Sequence, residues 1–109
     1  MMTLQLLETV RDRLIACNAV RSHKEFCVSW LAKDESYFRV LRFHQTQPSA
    51  DAIATCASKL AYYAKHLRVS KDQVHQDWAE EFDHLRGLCE HALYENARRK
   101  WMTPERMGL

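Results

Sequence analysis

Three features of the chain predict an all-α fold. Apolar residues recur every three or four positions along most of its length. Helix-start signatures precede those runs at Thr3, at Ser22 with Glu25, at Asp34, at Ser49, and at Ser70 with Gln73. Hairpin turn chemistry is nearly absent, because only 2 Gly and 2 Pro occur in 109 residues, and Gly108 and Pro104 fall in the C-terminal tail. The pattern predicts five helices, over about 3–17, 23–31, 35–43, 50–68 and 71–100. Hydrophobic residues make up 47% of the chain, enough for one core in a single domain.

Each helix has its own justification. Thr3 caps the first, whose Leu6, Leu7, Val10, Leu14 and Ile15 form a wide apolar face ending near Asn18. Ser22 and Glu25 form a capping box for the second, in which the Ser22 hydroxyl accepts the Glu25 amide and the carboxylate reaches back to the Ser22 amide; Phe26, Trp30 and Leu31 then give one stripe. Asp34 caps the third. Its inward face is Phe38 and Leu41, with Val40 a further candidate, while Glu35, Ser36, Tyr37, Arg39 and Arg42 point elsewhere. After a polar break containing Pro48, Ser49 caps the fourth helix, where Ile53, Ala57, Leu60, Ala64 and Leu67 share a face. Ser70 and Gln73 open the fifth and longest.

Only Ala32 and Lys33 separate the second and third helices, so the two cross steeply, at the spacing of a helix-turn-helix. An ordinary αα corner in a small bundle has the same spacing. Together with the Pro-Ser and following helix, the stretch SHKEFCVSWLAKDESYFRVL resembles the lambda-repressor and Cro-like (Xre-type) helix-turn-helix family over about Leu4 to Leu60. The run VRSHKEFCVSWLAKDESYFRVLR is also similar to small uncharacterised bacterial proteins with a Ser-x-x-Glu-Phe, Trp-Leu, Ser-Tyr pattern, a likeness that implies no activity. The first resemblance implies a transcriptional regulator that reads duplex DNA. It places Ser36 and Arg39 at base-facing positions and Ser22, His23 and Lys24 near phosphates. Lys33, Glu35, Tyr37 and Arg42 complete the expected DNA-binding surface. This sequence departs from the family in two places: the segment from Cys27 to Asp34 is one residue longer than usual, and Ala32 stands where a turn glycine is expected.

Charge divides the chain in a way that fits this reading. Residues 1–70 carry ten Lys and Arg against six Asp and Glu, an excess of four; residues 71–109 carry six against eight, a deficit of two. That excess is modest for phosphate binding, and Asp34 and Glu35 lie at the groove-facing end, so useful affinity requires two copies. Residues 1–68 are accordingly read as the helix-turn-helix bundle. Residues 69–109 are read as a long helix for oligomerisation or partner binding within the same compact domain.

In that last helix Val74, Trp78, Phe82, Leu85, Cys89 and Ala92 recur as a coiled-coil-like seam continued by Asn96. It packs either within the chain, across the Val69–Ser70 corner, or against a second copy. The predicted helix outruns its neighbour by about ten residues, roughly 15 Å, which leaves Leu88, Leu93, Tyr94 and Trp101 without evident cover. Trp78, Phe82, Leu85, Leu88, Cys89, Ala92 and Leu93 are therefore the expected homodimer interface. Arg98, Arg99 and Lys100 suit a helix C-terminus and need no ligand.

Other chemistry is not signalled. Cys17, Cys27, Cys56 and Cys89 make no C-x-x-C pair and read as reduced core thiols. His84 and His91 lack the partners of a zinc site, and His23, His44, His66 and His75 read as polar-face residues, with His23 and His44 able to meet phosphate when protonated. No glycine-rich phosphate loop, H-E-x-x-H or nucleophile elbow occurs, so neither catalysis, a cofactor nor a metal is expected. With no apolar run of membrane length and no signal core, the protein is expected in the cytoplasm. The sequence therefore points to a DNA-binding regulator acting as a homodimer. The alternative is a protein-interaction module, an antiactivator or adaptor, that keeps the helix-turn-helix frame without binding DNA.

Overall fold

In the computed structural model, which describes residues 2–109, five helical segments account for nearly all regular structure, and no strand occurs among the described residues. They are α1 (Leu4–Ala16), α2, α3 (Tyr37–His44), α4 (Ala50–Arg68) and α5 (Gln73–Trp101). α2 begins as one α-helical turn, His23–Glu25, and runs on as a π-helix, Phe26–Trp30.

Local side chains fix the helix starts. Thr3 accepts from the Leu6 amide and Ser49 from the Ala52 amide, as their positions predict. Three starts differ in detail. Ser22 does accept the Glu25 amide, but the Glu25 carboxylate reaches the Arg21 amide at 2.8 Å rather than that of Ser22. Asp34 caps a turn instead of a helix: it accepts from the Ser36 amide at 2.9 Å and from the Ser36 hydroxyl, so Ser36 becomes the residue before α3. α5 is capped by Asp72, which accepts the Val74 amide, while Ser70 accepts from the Asp72 amide and bonds His75 Nδ1. Gln76 then ties the corner by donating to the Arg68 and Ser70 carbonyls, and Arg68 pairs with Asp83.

Between α2 and α3 the chain turns through wide backbone hydrogen bonds. The Leu31 amide reaches Phe26 O at 3.2 Å, an i→i+5 bond, and the Lys33 amide reaches Cys27 O at 2.9 Å. Ala32 then adopts φ +55°, the left-handed conformation that a glycine supplies more cheaply. Asn18 (φ 64°) and Gln45 (φ 51°) end α1 and α3 in the same way, and the Thr46 amide closes back on Leu41 O.

α4 and α5 form the most extensive helix pair and run antiparallel across the short corner at 69–72. Small residues on α4 (Cys56, Ala57, Ala64) allow α5 close, and Phe82, Leu85 and Cys89 of α5 enter the same core as Leu60 and Ile53. α1 and α2 close the other side through Leu7, Val10, Leu14, Phe26 and Leu31. On an unbroken α-helix the stripe of Phe26, Trp30 and Leu31 is expected to set Trp30 between α1 and Phe38; in the structure Trp30 packs instead on Tyr63 and Phe82, with ring centroids 6.0 and 5.9 Å away. Phe38 instead meets Phe26 and His23 edge-on. The displaced phase is the π-helix at work, since i→i+5 bonding rotates Trp30 away from the α-helical direction.

Candidate interaction surface

The α2–α3 corner carries the nine residues expected to meet DNA, and six of them are committed within the chain. Ser22 is the α2 cap. His23 is half-buried: Arg11 Nη1 lies 3.0 Å from its Nδ1 and Cys27 Sγ 3.5 Å from its Nε2. A guanidinium only donates, so Nδ1 accepts and Nε2 carries the hydrogen, which leaves neither nitrogen for a phosphate. Lys33 lies 3.6 Å from Asp51 and 5.7 Å from the Tyr37 ring centroid. Ser36 is held by Asp34, and the Tyr37 hydroxyl accepts the Ser49 amide at 3.1 Å. Arg42, expected to project outward, pairs with Glu8 of α1 at 3.2 Å and flanks the Phe38 ring. The reason is its helical position, one residue beyond buried Leu41 and so at the edge of the packed face.

Lys24, Glu35 and Arg39 remain exposed, and among the described residues none has an ion-pair partner. Two cations and one acid make a weak phosphate surface. Asp34 adds a second negative group at the leading end of α3: hydrogen bonds from the Ser36 hydroxyl and amide hold its carboxyl below the usual range, so it stays ionised at neutral pH.

The most exposed apolar side chain of α3 is outside the expected site. Phe43 is 81% exposed and Val40 44%, although Val40 was a candidate for the inward face. Phe38 and Leu41 are buried, so Phe43, five positions after Phe38, points away from the core with Arg39 and Val40 beside it. Helical phase alone carries that signal.

The expected dimer seam is an intrachain one. Phe82, Leu85, Cys89 and Ala92 are all buried, Leu88 and Leu93 pack partly against the core, and Trp78 stacks on Phe82 at 6.5 Å. α4 covers the proximal part of the seam. Toward the end of α5, Asn96 and Arg99 line a recess of about 130 Å³ with Met2, Thr3 and Gln47, so the start of α1 and the α3–α4 connection flank the overhang. That is why the length mismatch, 19 residues in α4 against 29 in α5, does not strip Ala92 and Leu93 bare.

All four cysteines are unpaired. Burial pushes the Cys17 and Cys27 thiols up, and the Cys56 thiol is pushed up by its hydrogen bond with Cys89 and by burial. Protonated thiols of this kind are poor nucleophiles and poor metal ligands. No helix among the described residues is long and apolar enough to cross a membrane.

No curated protein and no solved structure matches the chain. Residues 7–102, from the first turn of α1 to just past the end of α5, match the model of one family, a span that includes α2 and α3. The chain belongs to the family of unknown function DUF6626.

Proposed function

We propose that the chain is a non-catalytic protein-interaction module, acting as a homodimer, with α3 as its docking face and the helix-turn-helix corner as the frame that holds α3 outward. The observation that carries this reading is Phe43, bare on the outer face of an eight-residue helix and flanked by Val40 and Arg39. Aromatic residues and Arg are enriched in the cores of protein interfaces, and burying one large apolar side chain contributes about 1.5–3 kcal/mol. Duplex DNA offers Phe43 little in return, because phosphates and sugars dominate its contacts and only the thymine methyl is apolar at a base edge. The partner that fits is a protein segment with an apolar face and acidic flanks, complementary to Val40, Phe43 and Arg39. Four unpaired thiols favour a reducing compartment, the cytoplasm.

Titration of a labelled duplex by fluorescence anisotropy, at 50 and 200 mM salt, separates this reading from a DNA-binding regulator. Expected is affinity no better than the non-specific range, about 10⁻⁴ to 10⁻⁶ M, and no change in Arg39→Ala. Nanomolar binding to a selected sequence, weakened tenfold or more by Arg39→Ala, would replace the interaction module with the DNA-binding regulator.

A further inference from the structure

On the side of α5 turned away from Leu85, Cys89 and Ala92 runs a second stripe: Gly87, Glu90, Tyr94, Ala97 and Trp101, at steps of three, four, three and four. Such spacing is the seam of a helix that meets another helix. Tyr94 is 72% exposed and Trp101 51%. Glu90, Leu93, Tyr94 and Ala97 line a hollow of about 430 Å³. They stand at i, i+3, i+4 and i+7, the four-residue hole that receives one side chain of a facing helix.

We propose that a second copy of the chain fills this hollow, with the two α5 helices antiparallel about a two-fold axis at Tyr94. This deepens the homodimer part of the function proposed above and is independent of what α3 binds. Residues equidistant from Tyr94 then face each other: Gly87 with Trp101, Glu90 with Arg98, and His91 with Ala97. Trp101 covers Gly87 of the second copy, where a Cβ would meet nothing within 4 Å, so the surface is open enough for an indole. Arg98 meets Glu90, which already pairs with Arg86 of its own helix at 2.9 Å. Tyr94 enters the hollow of the facing helix. Symmetry makes each contact twice. A parallel pair would instead set Arg98 against Arg98 and Glu90 against Glu90, which costs energy on both sides of the seam.

From Gly87 to Trp101 each helix contributes about 21 Å of seam, short of a standard interface, so association falls in the micromolar range. Sedimentation of the full chain between 5 and 200 µM, followed by oxidative cross-linking, tests it in a Cys17→Ser background, where the remaining native thiols are buried. The full chain is expected to dimerise, and Trp101→Ala to weaken association at least tenfold with unchanged helical circular dichroism. Tyr94→Cys is expected to cross-link to itself, and Gly87→Cys to Trp101→Cys in a mixture, with neither of the last two cross-linking alone. A dimer in which Gly87→Cys and Trp101→Cys each cross-link to themselves, or in which none of these positions cross-links, overturns the antiparallel register while leaving the homodimer standing. A monomer at every concentration overturns both.

Discussion

Trp30→Ala is expected to destabilise the fold by about 3–5 kcal/mol, the range for removing a large buried aromatic. Trp30 is only 5% exposed and stands where α2, α4 and α5 converge, touching Tyr63 and Phe82. Its loss also removes the aromatic face over which Lys59 Nζ sits at 4.6 Å while donating to Ser29 O at 2.7 Å. The vacated volume adjoins a cleft of about 430 Å³ lined by Tyr63, Trp78 and Phe82, so the surroundings have little with which to collapse. Urea unfolding followed by circular dichroism reads the effect directly. A midpoint close to wild type would mean that the π-helix does not hold Trp30 inward.

A larger loss is expected from Phe82→Glu combined with Leu85→Lys. Leu85 is fully buried and Phe82 nearly so, both facing α4, and each new charge is desolvated in an apolar seam at a cost of several kcal/mol. Against a total stability of about 5–15 kcal/mol for a domain of this kind, the double variant should show no cooperative melt and little helical signal. A folded variant with native helicity would place the seam against another chain instead of α4.

Helix boundaries were legible wherever a local side chain sets them. Thr3 and Ser49 cap the helices they announce, and α4 spans 50–68 as expected, because an N-cap hydrogen bond reaches only two or three residues and leaves its signature in sequence. The π-helix over Phe26–Trp30 has no such signature. It shows only in the backbone, where the i→i+5 turn is followed by left-handed Ala32. Few glycines rightly pointed to an all-α chain, and Asn18, Ala32 and Gln45 make the left-handed turns that glycine would otherwise mark. In α5 the seam periodicity was readable, but periodicity says that a face is buried and not by which chain. The outward face of α3 differs from the expected one by a step of helical phase. Arg42 turned to Glu8, and Phe43, not a cation, took the outermost position.

Photo-cross-linking from position 43 tests the role of α3 most directly. With benzoylphenylalanine in place of Phe43 in the native cells, irradiation is expected to yield a discrete protein adduct, resistant to nuclease and identified by mass spectrometry. The adduct should disappear when Val40→Glu is added, and none should form from position 65 on the exposed side of α4. An adduct removed by nuclease, or one that persists unchanged with Val40→Glu, would contradict a protein-docking face on α3.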